Sequence, residues 1–262
     1  MIKAAVLGSP ISHSLSPKIH AKAYEILEIA ADYQAIELDV ATFPAFFAEN
    51  SGGDWNGFSL TMPLKEIVLQ VAAEVDVKAK RISSANTLYR DAEKWRVTST
   101  DLLAFENLIS ISSGAKVAII GGGGTARAAA GALNSKVDAF DVLLRSPERL
   151  IGLASAAPDA RVRLLEMSHS LNEYDLIIQT TPAGAFDAFA NSLTSASGIL
   201  FESLYKPSPT ALASKYLTLG GQVIGGKELL VEQALFQIER FSQVKFDFGE
   251  MRTALLQHIA GD

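Results

Sequence analysis

Residues 115–133 read AKVAIIGGGGTARAAAGAL, and the fold turns on how that stretch is read. AKVAII is a near-continuous apolar strand of the kind that a parallel sheet covered on both faces requires. It runs straight into four glycines and then into a helix of small residues. That is the setting of a dinucleotide turn. Glycine lets the backbone approach a pyrophosphate closely, and the helix N-terminus offers free N–H groups and the positive end of its dipole. Gly121, Gly123 and Ala126 fill the three small-residue roles, with Gly122 and Gly124 between and after them, a spacing that departs from G-x-G-x-x-G. A tight strand-to-helix turn with no ligand is the competing reading.

The next strand, DAFDVLLR, selects the cofactor. An acidic residue at its end would hold a ribose 2′-hydroxyl, whereas an arginine there accommodates a 2′-phosphate. Asp141 lies inside the strand and Arg145 at its end. Guanidinium is planar, permanently charged and able to grip phosphate bidentately. Arg149 one turn later and Arg127 on the glycine-turn helix could add charge, unless all three are solvated helix-end residues. The pattern favours NADP.

Outward from this segment the chain alternates strand and helix. KAAVLGS, YQAIELDV and WNGFSLT read as strands. PKIHAKAYEILEIA reads as a helix with Ile19, Ala23, Ile26 and Leu27 on one face, FPAFFAEN as a second, and KEIVLQVAAEV as a third with Ile67, Val68, Val71 and Val75 together. Such alternation predicts βαβ units and a parallel sheet. NTLYRD and KWRVTST form a hairpin before the helix DLLAFENLIS. After the Ser/Gly cluster at 112–116 the pattern restarts. Strands follow at DLIIQT, GILFESLY and GQVIGG, and the helices ELLVEQALFQIERF and MRTALLQHIA close the chain. The 262 residues are 48% hydrophobic, carry a net charge of −6 and contain no cysteine. That composition supports sizeable cores and excludes a disulfide framework or thiolate metal site. It predicts no nucleic-acid partner, no membrane span and a cytoplasmic location. The four histidines (His13, His20, His169, His258) show no ligand spacing, so no metal is expected.

Two further segments carry chemistry. SLTMPLK (59–65) places Thr61 and Lys65 around Pro63, which ends the preceding strand because it lacks an N–H. GSPISHSLSPKIH (8–20) sets Ser14 and Ser16 between a strand and a helix. With Pro17 in the first turn, Ser16 reads as that helix's N-cap; the two hydroxyls also suit a small carboxylate.

Taken together, these segments resemble the shikimate dehydrogenase family over nearly the whole chain. GSPISHSLSPKIH is similar to the family's substrate loop, FSLTMPLK to its N-V-T-x-P-x-K segment, and SANT and STD to two more active-site segments. GGGGTARA and LRS resemble its glycine loop and cofactor motif, LYKPSPTAL and GGKELLVEQA its closing pair. The resemblance implies two α/β domains with a cleft between them: residues 1–101 plus 227–262 for substrate and catalysis, and 102–226 as a Rossmann-type dinucleotide domain. It implies Lys65 and Asp101 as the catalytic pair, Ser14 and Ser16 at the substrate carboxylate, and Ser59, Thr61, Asn86, Tyr205 and Gln233 as further substrate contacts. Arg145 and Ser146 would meet the 2′-phosphate and Gly226 would lie near the nicotinamide, with Thr125 and Thr180 completing the cofactor set. The chain departs from the family where Ser59 and Ser99 replace Asn, Glu202 replaces Asp, Ser83 replaces Gly and Leu144 replaces Asn.

The implied reaction is NADP-dependent interconversion of 3-dehydroshikimate and shikimate by a monomer or homodimer. Moving a hydride from a secondary alcohol releases a proton, which a lysine oriented by a carboxylate can relay. The alternatives are a relative acting on quinate or a substituted shikimate, with NAD as a possible cofactor, and a non-catalytic nucleotide-binding paralogue.

Overall fold

A computed structural model describes residues 1–71 and 74–262. Ten helices and twelve strands lie among them. In chain order they are β1 (Ile2–Gly8), α1 (Ser16–Ile26), β2 (Ala31–Glu37), α2 (Phe43–Asn50), β3 (Gly57–Leu60), β4 (Glu74–Val75), α3 (Val77–Arg81), β5 (Thr87–Asp91), β6 (Lys94–Thr98), α4 (Thr100–Leu108), β7 (Val117–Ile120) and α5 (Gly124–Leu133). There follow β8 (Ala139–Leu143), α6 (Leu150–Ala156), β9 (Arg161–Leu165), β10 (Leu176–Gln179), α7 (Asp187–Ala190), β11 (Ile199–Glu202), α8 (Ala211–Thr218), β12 (Gln222–Ile224), α9 (Gly226–Ser242) and α10 (Phe248–His258). The chain divides into two compact units, Met1–Leu103 with Leu230–Asp262, and Ala104–Leu229.

The sheet of the first unit runs β2-β1-β3-β5-β6-β4. It is mixed: the expected hairpin of NTLYRD and KWRVTST is β5–β6, and β5 also pairs antiparallel with β3, alongside the parallel β1–β2 and β1–β3 pairs. The hairpin turns the chain back before the sheet is complete, so no crossover helix is needed there. One face is covered by Phe43, Phe47, Trp55, Leu64 and Trp95 packed on Phe58. The other lies under α1, α9 and α10, where Ile19 and Tyr24 meet Leu235, Ile238, Phe241 and Leu255. Because side chains alternate across a strand, Phe58 and Leu60 of β3 enter the first core, leaving Gly57 and Ser59 to face the helices.

Two expected helices differ from the observed chain. The helix expected over 65–75 includes 72 and 73, which lie outside the described residues; around them stand a short 3₁₀ turn at Ile67–Gln70 and the strand β4. The Lys65 carbonyl accepts the Ala85 N–H at 2.8 Å, and the Leu69 N–H closes a tighter turn on the Glu66 carbonyl. The first helix stops at Ile26, not at 30: Glu28 takes a left-handed φ of 56° and the Ile29 N–H returns to Tyr24. Its buried face is Ile19, His20, Ala23 and Tyr24, while Ile26 is 42% exposed.

In the second unit every pairing is parallel, in the order β12-β11-β10-β7-β8-β9. The order reverses between β7 and β10. Ligands of such sheets bind beyond the carboxyl ends of the strands at that switch point, and the β7 end is where Gly121 stands.

Two backbone positions are testable. A Cβ on Gly57 would lie 2.1 Å from the Phe241 ring, so Gly57→Ala is expected to destabilise by about 1–3 kcal/mol through overpacking. Ser83 holds a φ of 48°, and Ser83→Gly should raise stability by about 1 kcal/mol. Thermal melts of both variants check the opposite signs.

Candidate active site

Asn86 organises the first unit's polar cluster. Its Oδ1 accepts the N–H of Thr100 at 2.7 Å and of Asp101 at 3.3 Å, capping α4 from the neighbouring strand. Ser99 adds the local cap, its hydroxyl accepting the Leu102 N–H. Serine at 99 therefore has a structural task of its own at the helix start. Since backbone N–H groups can only donate, the Asn86 oxygen must take the α4 N–H groups, which leaves its amide nitrogen for side-chain acceptors. The nitrogen donates to Asp101 Oδ1 at 2.9 Å and to Gln233 Oε1 at 3.0 Å.

Lys65 completes the arrangement. Its ammonium donates to Asp101 Oδ2 at 2.6 Å, and the two side chains are 19% and 10% exposed. Asp101 is thus held at both oxygens, one by an amide and one by the lysine. Thr61 follows β3, with its methyl against Gly8, where an added Cβ would stand 2.4 Å away. Ser16 is the first helical residue of α1 and makes no cap, which corrects the N-cap expectation. Its N–H instead finds the Ser14 hydroxyl at 3.3 Å.

Ser59 lies deeper than a rim residue. It accepts from Tyr33 Oη at 2.7 Å and donates to Gln237 Oε1 at 2.7 Å. Beside them His20 stacks on the Tyr33 ring with centroids 3.9 Å apart. Burial pushes its imidazole down to about 3, opposed by the Gln237 hydrogen bond, and pushes the Tyr33 phenol up. Sequence reading passed over Tyr33, Thr100 and Gln237. Two of these were within reach: Thr100 adjoins Asp101, and Gln237 sits one turn beyond Gln233, so both glutamines share a helix face.

In the second unit, the glycine turn has a steric basis. Gly121 adopts φ 108°, and a Cβ there would meet the Thr180 hydroxyl at 2.5 Å. Thr180 donates to the Ile120 carbonyl, tying β10 to β7 at the switch point. A Cβ on Gly122 would meet Arg149 and Leu144, and Arg149 donates to the Gly122 carbonyl at 3.4 Å. Gly123 precedes α5, which starts at Gly124 with Thr125 next in its first turn. Arg145 is exposed and Ser146 half-buried just past β8. Arg127 is buried, packed toward Gly152 of α6, so it is an unsuitable surface for a phosphate. Asp141 is committed to a bidentate pair with Arg163 and to the Tyr174 hydroxyl. This chain therefore has no free acid on β8 for a ribose. The turn fits the pyrophosphate of a dinucleotide, with backbone room that only glycine leaves. Among the described residues no cluster of three or more His, Asp or Glu stands where it could hold a metal.

At the end of β11, Glu202 is 2% exposed and braces the loop carrying Tyr205. Its carboxylate accepts the Leu204 N–H at 3.1 Å and the Thr210 hydroxyl at 2.7 Å, and Thr210 caps α8. Gly226 lies against that loop, since a Cβ there would meet Leu204 within 2.5 Å. Burial raises the Glu202 pKa above the ordinary carboxylate value. A raised folded-state pKa means that ionisation opposes folding as pH climbs past the unfolded value. Glu202→Gln keeps both hydrogen bonds once the Thr210 hydroxyl turns to accept. Its melting temperature relative to wild type should therefore be higher at pH 8 than at pH 4, as calorimetry at the two pH values will show.

These geometries agree with the comparisons to known proteins. The model of the shikimate dehydrogenase substrate binding domain matches residues 6–88. A shikimate dehydrogenase (NADP(+)) of Exiguobacterium is 30% identical over 249 residues, covering 93% of this chain and 94% of the relative. One from Xanthomonas euvesicatoria is 32% identical over 272 residues, covering 96% and 94%. The crystal structure of Mycobacterium tuberculosis shikimate dehydrogenase superposes with a TM-score of 0.88 at 32% identity, covering 98% of this chain and 99% of that one. A Thermus thermophilus shikimate 5-dehydrogenase in complex with NADP(H) and shikimate gives 0.85 at 26% identity, covering 99% and 100%. With likeness at this level along nearly its full length, the chain belongs to the shikimate dehydrogenase family.

Proposed function

We propose that the protein interconverts 3-dehydroshikimate and shikimate with NADP, as a cytoplasmic monomer or homodimer. The observation that carries this reading is the Lys65–Asp101 pair at 2.6 Å, with the second Asp101 oxygen held by Asn86. The first unit would bind the substrate through Ser14, Ser16, Ser59, Thr61, Asn86 and Gln233; the further proposed contacts, Tyr205 and Gly226, belong to the second unit. The second unit would hold the cofactor on the glycine turn, with Arg145, Ser146 and Arg149 toward its 2′-phosphate.

A bound NADP supplies or accepts the hydride at its nicotinamide ring. The protein's task is the proton. As the substrate carbonyl is reduced, negative charge develops on its oxygen, and the Lys65 ammonium transfers a proton to it. Asp101 holds that lysine in place. In the oxidative direction the Lys65 amine takes the hydroxyl proton as the hydride leaves. Asn86 fixes the carboxylate on which both directions depend.

Two measurements test this. Lys65→Met or Asp101→Asn should lower kcat by about 10²–10⁴-fold, the usual contribution of a general acid–base group. Both should leave NADP⁺ binding nearly unchanged. Near wild-type turnover in both would refute the assignment. Arg145→Ala should raise KM for NADP⁺ by roughly 10- to 100-fold, the range expected for loss of a charge-assisted hydrogen bond. It should leave KM for NAD⁺ nearly constant; equal losses with both cofactors would assign Arg145 to the fold. Following absorbance at 340 nm with shikimate or quinate against NADP⁺ or NAD⁺ decides between the main reading and its relatives.

A further inference from the structure

Gln237 is 1% exposed, and both ends of its amide are engaged. Its nitrogen donates to the Asn86 backbone carbonyl at 3.1 Å and to the Thr87 hydroxyl at 3.0 Å. Its oxygen faces the Ser59 hydroxyl at 2.7 Å and His20 Nε2 at 3.4 Å. A backbone carbonyl can only accept. Turning the amide over would set two oxygens against each other at the Asn86 end, in a buried place where an unpaired polar group is expensive. The carbonyl therefore fixes the amide, and the amide fixes its neighbours.

Ser59 has one hydrogen, and it must go to Gln237. The Tyr33 hydrogen must then go to Ser59. On the other branch, His20 must carry its hydrogen on Nε2, leaving Nδ1 to accept from the Tyr24 hydroxyl.

We propose that Gln237 is a positioning residue that makes Ser59 an acceptor-only contact and so sets which end of the substrate Ser59 can meet. The proposal rests on the functional reading above. With its hydrogen committed, Ser59 can offer a ligand only a lone pair, so it accepts from a substrate hydroxyl and repels a carboxylate. Ser16 is different. Its hydroxyl hydrogen is not fixed by the Gln237 amide, so it can be given to an anion. The carboxylate end is thereby directed to Ser16 and a hydroxyl end to Ser59.

The first test needs no turnover. Long-range ¹H–¹⁵N spectra of the full chain should show His20 as the neutral Nε2–H tautomer; the Nδ1–H tautomer would mean that the amide is reversed and would overturn the proposal. The second is kinetic. Gln237→Leu should raise KM for shikimate about tenfold, the upper range for one neutral hydrogen bond, with kcat within twofold and KM for NADP⁺ unchanged. In a Ser59→Ala background the same substitution should change KM for shikimate less than twofold, since the relay is already cut. Equal effects in both backgrounds would show that Gln237 acts by packing alone. Gln237→Met serves if the leucine variant does not fold. A wild-type enzyme that left shikimate unreacted would refute the functional reading, while the tautomer would still report on the amide.

Discussion

The Asn86 amide joins strand β5 to the start of α4, and the site depends on that junction. A helix that begins inside a protein leaves its first N–H groups without partners, and burying them unpaired is costly. Asn86 takes two of those N–H groups on its oxygen. The same constraint turns its nitrogen toward Asp101, the second residue of the helix. Capping and orientation of the carboxylate are thus one event. Lys65, arriving from the turn after β3, then meets an acceptor whose geometry is already set.

This logic recurs at Gln237, where a backbone carbonyl orients a side-chain amide. In both places the backbone, which has no choice of polarity, imposes one on groups that do. Side-chain hydroxyls and imidazoles could satisfy either direction on their own. Anchored to a strand or a helix end, they present fixed donors and acceptors.

Much of this was legible in the sequence, for identifiable reasons. The run from Val117 to Leu133 joins a doubly buried strand to a helix through glycine, and few other structures suit that pattern. Lys65, Asp101 and Asn86 were legible because they sit in short segments with a family resemblance. The mixed first sheet was not, since strand polarity depends on how the hairpin at 87–98 docks and not on periodicity. The edge strand β9 escaped because its residues, RVRLL, are largely exposed and so lack a buried strand's apolar signature. The end of α1 was missed because Ile26 continues the hydrophobic pattern while pointing to solvent. Ser16 looked like a cap because capping is a local rule, whereas the helix takes Ser16 as its first residue and the Ser16 N–H reaches back to the Ser14 hydroxyl.

The departures from the family pattern follow the same division between local and distant constraints. Ser99 caps α4 with its own hydroxyl, which is a local role that serine performs as well as asparagine. Ser59 is a distant case. It is 4% exposed and lies between Tyr33 and the Gln237 amide. An asparagine at 59 would carry an amide into volume that Gln237 already fills, and close-packed interiors absorb such additions poorly. The two amides therefore compete for one place, and in this chain it is α9, not β3, that supplies it. The short hydroxyl at 59 leaves the Gln237 amide within reach of the Asn86 carbonyl and donates its hydrogen to that amide.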